Sequence, residues 1–101
     1  MWFITVFEKL GEVYENGFPN LGSQKTWGYY SERENAVNAL HDNLGDMREF
    51  MYNYAVIEKV DEGVMPLAYN RQWFKWDYNR IGYYEIEEPE CVKHLTNFAI
   101  G

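Results

Sequence analysis

A run of six mostly apolar residues near the amino terminus most constrains how this chain can fold. Residues Trp2 to Phe7 are rich in β-branched and aromatic side chains, and they are apolar at both odd and even positions. Successive side chains of a strand point to opposite faces of a sheet, so a strand of this kind must be covered on both faces. We therefore predict that residues 2–7 form an interior strand of a sheet.

A second strand and a helix are predicted next. Thr26 to Tyr30 has strand composition, and Ser31 and Glu34 have the spacing of a capping box, which predicts that a helix begins there. Gly45 marks the predicted end of this helix. Spacings of three, four and three residues place one apolar stripe on it. The stripe comprises Val37, Leu40, Leu44 and Met47.

Three further strands and a second helix are predicted in the remainder of the chain. Residues 50–60 form a strand-like run that ends at a turn, and residues 72–76 and 82–87 flank the turn-forming residues 77–80. Aromatic strands on either side of a turn indicate a hairpin. Pro89 is placed as a first-turn residue of a short C-terminal helix, with preceding carboxylates that complement the helix dipole.

The element order ββαβββα has no βαβ alternation long enough for a parallel wound sheet. We predict an α+β fold with a mainly antiparallel sheet of about four to five strands and two helices packed on one face. A length of 101 residues and a hydrophobic fraction of 47% suit one core, so residues 1–101 are predicted to form a single domain.

Charge and cysteine content limit the binding partners and the cellular compartment that we expect for this chain. Sixteen acidic and nine basic residues give a net charge of −7, which opposes direct binding to nucleic acid and suits a partner with a basic face. The single cysteine, Cys91, excludes an internal disulfide, and the apolar run at residues 2–7 is too short to span a membrane. We therefore expect a cytoplasmic protein in the host cell, with no membrane contact.

Candidate catalytic and metal-binding groups are sparse. Cys91 and His94 are three residues apart on the predicted helix, and His41, Asp42 and Asp46 could complete a zinc site only if the fold brought them together. Neither a phosphate-binding glycine motif nor a G-x-S-x-G motif is present. The acidic run Glu85, Glu87, Glu88 and Glu90 is predicted to be solvated. We therefore predict no enzymatic activity, no catalytic residues, no metal and no cofactor.

Aromatic and basic residues alternate in two short segments, 25–29 and 71–76. Planar rings can stack on a base and guanidinium groups can pair with phosphate. The candidate ligand-binding residues are Trp27, Tyr29, Arg33, Arg71, Trp73, Trp76 and Arg80. The same residue types also pack in cores and anchor protein interfaces, so all three interpretations remain open.

Three segments of the chain carry a resemblance. Residues 4–8, 28–36 and 54–59 look like segments of small proteins from phages and prophages of Firmicutes. The similarity covers most of the chain but includes no signature of known chemistry. It implies a setting, because small phage proteins often act by binding, including as antagonists of host defence.

These observations favour a non-enzymatic phage-type accessory protein that binds and neutralises a host component, such as a protein of anti-phage immunity, through an acidic and aromatic surface. The alternative is a protein that sequesters a small nucleotide-derived immune signal, for which a homo-oligomer is expected because subunit interfaces readily form concave sites. A small enzyme and a structural phage component are further alternatives.

Overall fold

The computed structural model describes residues 1–15, 19–62 and 68–93. Within these ranges the chain forms five strands, one α-helix and two 3-10 turns. In chain order they are β1 (Trp2–Phe7), β2 (Gln24–Tyr30), α1 (Arg33–His41), a 3-10 turn (Met47–Phe50), β3 (Tyr54–Val60), β4 (Ala68–Asp77), β5 (Gly82–Ile86) and a second 3-10 turn (Glu90–Val92). The α+β class is as predicted.

The five strands form one sheet in the order β2-β1-β3-β4-β5, and every neighbouring pair is antiparallel. Ile4 of β1 pairs with Gly28 of β2 on one side and with Ile57 of β3 on the other. The prediction of an interior strand at residues 2–7 is therefore confirmed. The β4–β5 hairpin is confirmed as well, since Trp76 pairs with Tyr83.

Helix α1 covers one face of the sheet. Ala36 and Leu40 of the helix pack against Ile4, Ile57 and other buried residues of the central strands. Burial of each of the larger side chains, such as Leu40 or Ile57, contributes on the order of 1.5–3 kcal/mol through removal of apolar surface from water. This cluster is the main core of the described chain.

The opposite face carries a second buried cluster, in which Phe7 stacks on Trp73 with ring centroids 5.4 Å apart. Val92, in the second 3-10 turn, packs into this cluster. The prediction of two helices on one face is wrong here: the described part of the second helix is a 3-10 turn, and it lies on the other face. A sheet that is apolar on both sides needs a cover on each. Residues 94–99 of that predicted helix lie outside the described residues.

Helix α1 is also shorter than predicted. Its N-cap is Glu32, without a side-chain capping bond, so the predicted capping box of Ser31 and Glu34 is wrong. The helix ends at His41 because Asn43 adopts the left-handed conformation with φ 51°. The amide of Leu44 then donates to Ala39 O at 3.0 Å, which is the Schellman arrangement. Leu44 consequently lies outside the helix and is 51% exposed.

Candidate functional site

Trp73 is a core residue. It is 1% exposed, it stacks on Phe7, and its Nε1 donates to Glu88 Oε2 at 3.1 Å. Arg71 forms an ion pair with the same carboxylate, with Nε 3.2 Å from Oε2. A ring enclosed in this way cannot stack on a base from solution, which corrects the expectation that Trp73 binds a ligand.

Trp27 and Tyr29 lie on the edge strand β2. Trp27 is the extra residue of an irregularity opposite Ile4 and Thr5, and such bulges redirect a side chain. Its Nε1 donates to Leu44 O at 3.1 Å, and its half-buried ring packs against the α1 side of the sheet. Tyr29 is 60% exposed. The two residues therefore lie in different surroundings, although they are close in sequence.

Arg80 is held by two local contacts. Its Nε lies 2.9 Å from Asp77 Oδ2, and its guanidinium carbon lies 3.8 Å from the centre of the Tyr84 ring. Side-chain and backbone hydrogen bonds from Arg80 hold the pKa of Asp77 below its ordinary value. Arg33, at the start of α1, donates to the Gln72 side chain. Neither arginine lies with the Arg71 and Trp73 pair.

The seven predicted residues thus fall into four regions of the molecule. Trp27 and Tyr29 are on β2, Arg71 and Trp73 are on the face opposite α1, and Arg33 begins α1. Trp76 and Arg80 lie at the β4–β5 turn, where both line one cavity. Only that last pair is brought together in a manner that a small ligand could use.

Arg48 joins the segment that follows α1 to the β4–β5 turn. Its Nη2 donates to the hydroxyl of Tyr78 at 2.9 Å, and its guanidinium carbon lies 5.9 Å from the Trp76 ring centre. The Trp76 ring also meets Tyr83 edge to face at 5.2 Å. Residues 42–51 and the turn at 77–81 therefore form one continuous surface at this end of the sheet.

Five large apolar side chains project from this surface, which we call the loop surface. They are Leu44 (51% exposed), Phe50 (64%), Met51 (67%), Tyr78 (74%) and Ile81 (71%). Single exposed apolar residues are ordinary, but a group on adjoining segments marks a candidate interaction site.

The backbone of the loop surface is strained. Among the described residues, five other than glycine have positive φ, and four of them, Asn43, Asp46, Met51 and Ile81, lie in its two segments. Asn and Asp tolerate this conformation, whereas for Met51 at φ 68° and Ile81 at φ 55° it costs on the order of 1–2 kcal/mol. Strain of this kind concentrates at functional sites.

Charge on the loop surface is mainly negative. Residues 42–51 contain three carboxylates, at Asp42, Asp46 and Glu49, and one guanidinium, at Arg48. All three acidic residues are exposed. Glu49 Oε2 accepts a hydrogen bond from Asn43 Nδ2 at 3.0 Å, which helps to hold the loop in its conformation. The surface is therefore both apolar and acidic.

Two neighbouring cavities open at the same end of the sheet, and both are lined by Lys75, Trp76 and Tyr78. One has a volume of about 360 Å³ and extends to Lys9 and Asn53. The other has a volume of about 310 Å³ and extends to the β4–β5 turn. Volumes near 300 Å³ are at the small end of the range for ligand pockets.

The described ranges contain neither a metal-binding cluster nor a membrane-spanning helix. No group of three or more His, Cys, Asp or Glu residues there is placed to hold a metal ion. Cys91 is a half-buried free thiol that packs at the margin of the cluster around Trp73, and His94 lies outside the described residues. No helix in the described part of the chain is long and apolar enough to cross a membrane.

The sequence prediction missed the loop surface for a local reason. Leu44 and Met47 continue the helical spacing of α1, and Phe50 begins a strand-like run, so the sequence pattern places all three in regular elements. The available signal was composition: Asp42, Asn43, Gly45 and Asp46 are turn-forming residues that surround Leu44. An apolar residue within such a group is a candidate for exposure.

Comparison with protein-family models, with curated proteins and with solved structures found no match for this chain.

Proposed function

We propose that this chain is a non-enzymatic, phage-type accessory protein that binds a basic surface of a host protein and neutralises it. The loop surface is the binding region. The phage setting and the role against host defence rest on the sequence resemblance, and the choice of binding surface rests on geometry. The observation that carries the choice is the exposure of bulky apolar side chains on strained backbone.

Met51 and Ile81 make this argument concrete. Glycine would remove the strain at either position, and a polar residue would remove the exposed apolar surface. With 67% and 71% of their surfaces exposed, the two side chains gain little from burial within the chain. Contact with a partner would bury both side chains. The complex would then gain the free energy of apolar burial that the unbound protein does not obtain from them.

Charge indicates the partner. The carboxylates of Asp42, Asp46 and Glu49 border the apolar side chains, so a complementary surface is apolar at its centre and carries Lys or Arg at its rim. The net charge of −7 adds long-range attraction to such a surface and repels nucleic acid. A host protein whose own ligand is nucleic acid has this kind of face.

The first test is affinity capture from a host lysate, followed by reconstitution with the purified captured protein. Wild-type chain and the Tyr29→Ser variant should bind the same protein, because Tyr29 is exposed but lies outside the loop surface. Tyr78→Ser is the matched variant within the surface, and it should bind at least tenfold more weakly. Met51→Gly should also weaken binding.

Charge reversal at Asp42 and Asp46 should slow association more than it accelerates dissociation, because exposed rim charges act mainly on the rate of encounter. The neutralisation is then measured as loss of the captured protein's own activity. Capture of a protein that binds all these variants equally, or reconstitution without inhibition, would contradict the proposal.

A further inference from the structure

We propose that the cavity of about 360 Å³ beside Lys9, Asn53 and Lys75 binds a nucleoside monophosphate, that is, a planar base that carries one phosphate. The proposal does not depend on the protein-binding role of Met51, which does not line the cavity, although Tyr78 lines it and also belongs to the loop surface. It also differs from the site predicted from the sequence, since Trp76 is the only predicted residue that lines it.

The cavity forms where three segments of the chain meet at one end of the sheet. Glu8 and Lys9 follow β1, Asn53 precedes β3, and Lys75 and Trp76 are near the end of β4. Backbone hydrogen bonds fix this junction, because the Asn53 amide donates to Phe7 O and the Trp76 amide donates to Asn53 O, both at 3.0 Å. The walls are therefore positioned before any ligand binds.

Charge in the cavity is opposite in sign to the charge of the whole chain. Lys9 and Lys75 contribute two ammonium groups against one carboxylate, from Glu8, whereas the chain has a net charge of −7. Neither lysine forms an ion pair in the described structure. Lys75 Nζ lies 5.7 Å from the Tyr54 ring centre. Because it forms no ion pair, its ammonium group remains available to a phosphate group.

An aromatic ring supplies the surface for a base. Tyr54 is half-buried, lines the cavity and pairs with Lys75 across β3 and β4. Its ring packs at the margin of the cluster around Phe7 and Trp73, which holds its orientation, whereas the Trp76 ring packs against Tyr83 on the α1 face. A ring held in this way loses little conformational entropy when a base stacks on it, which favours binding.

Asn53 indicates which base is preferred. Its Nδ2 donates to Glu8 O at 2.9 Å, which leaves Oδ1 as an acceptor without a partner in the described chain. An acceptor at this position suits the exocyclic amine of adenine or cytosine, and the purine ring of adenine also offers a larger surface for stacking than the pyrimidine ring of uracil. We therefore expect AMP to bind more tightly than UMP.

The neighbouring cavity of about 310 Å³ fits this ligand less well. Lys75 and Arg80 are balanced there by Asp77 and Glu85, and Arg80 already pairs with Asp77 at 2.9 Å. A phosphate entering it would have to displace that carboxylate. The excess of positive charge selects the cavity beside Lys9.

The test is calorimetric titration and thermal denaturation at low ionic strength with AMP, UMP, adenosine and inorganic phosphate. AMP should raise the melting temperature, because a ligand that binds only the folded state stabilises it. Adenosine and phosphate should each bind at least tenfold more weakly than AMP, because each lacks one of the two contacts. No heat and no shift with AMP would overturn the proposal.

Two lysine variants locate the site. Lys75→Met should reduce AMP affinity roughly tenfold or more, and Lys9→Met should also reduce it. Lys25→Met is the matched control, because Lys25 is likewise an exposed strand lysine near an aromatic ring, 5.9 Å from the Trp27 ring centre, but lies on β2. Equal loss in all three variants, or no loss in Lys75→Met, would overturn the assignment.

Failure of AMP binding can be distinguished from failure of host-protein binding, because different variants test the two. Met51→Gly should leave AMP binding unchanged, and Lys75→Met should leave capture of the host protein unchanged. Loss of AMP binding in Met51→Gly would overturn the inference, because Met51 does not line the cavity.

Discussion

Gly82 of β5 lies directly against the carbonyl oxygen of His41, the last residue of α1. A Cβ atom added at position 82 would overlap that oxygen, which is backbone and cannot rotate away. The edge strand and the end of the helix can approach this closely only because residue 82 has no side chain. This contact brings the end of α1 directly against β5.

Gly82→Ala should therefore destabilise the fold by about 1–3 kcal/mol, the usual cost of overpacking, measured by chemical denaturation. Gly28→Ala is the control, since a Cβ at Gly28 has no atom within 4 Å. Removing a strand glycine there should stabilise the chain by about 0.5–1 kcal/mol. Equal effects of the two substitutions would show that α1 does not contact β5 in this way.

Strain at Met51 gives a prediction that is independent of any partner. At φ 68°, glycine carries no penalty but alanine does, so Met51→Gly should be more stable than Met51→Ala by about 1 kcal/mol. At an ordinary position the order of these two variants is reversed. Thermal denaturation of the two variants tests this prediction. A higher stability of Met51→Ala would contradict the left-handed conformation of residue 51.

Most of the sheet could be predicted because local pattern and tertiary context agree there. The run from Trp2 to Phe7 is apolar on both faces, and the structure places it between β2 and β3 with buried clusters on each side. The hairpin was predictable because Asp77 has the side chain of a turn residue. Its Oδ1 accepts from the amides of Asn79 and Arg80 at 2.8 and 3.2 Å.

The end of α1 and the residues of the candidate site were not predictable in the same way. Asn43 ends the helix through its backbone conformation, and nothing in the apolar spacing of Leu40 and Leu44 indicates this. Trp73 and Trp76 are three residues apart in similar sequence, yet one is enclosed and the other is half-buried at the sheet end. The burial of either tryptophan depends on which elements cover its face of the sheet. The composition of the strand does not specify those elements.

Glu88 accepts hydrogen bonds from two partly buried donors, and its removal should have a measurable cost. Trp73 Nε1 and Arg71 Nε both lie near its Oε2, at 3.1 and 3.2 Å. Glu88→Gln removes the charge and weakens both contacts, so stability should fall by about 1–3 kcal/mol. Glu87→Gln is the control, since Glu87 is exposed. Equal denaturation midpoints for the two variants would exclude this role for Glu88.

Because of Tyr83, the stability of the folded chain should decrease as the pH rises into the alkaline range. The side chain is fully buried and its hydroxyl donates to Tyr52 O at 2.5 Å. Burial, which disfavours the phenolate, raises the pKa of Tyr83 well above its ordinary value of 10.0. Because only the unfolded chain ionises readily there, this contribution to stability is complete below about pH 10 and falls as the pH rises further.

Tyr83→Phe lacks this hydrogen bond, so the variant should be about 1 kcal/mol less stable than the wild type near neutral pH. The difference between the variant and the wild type should shrink above pH 10, because phenylalanine has no proton to release. Tyr14→Phe is the control at an exposed position and should leave the alkaline stability profile unchanged. Urea midpoints measured from pH 7 to pH 11 test this. Parallel profiles for Tyr83→Phe and the wild type would mean that Tyr83 ionises as readily in the folded chain as in the unfolded one.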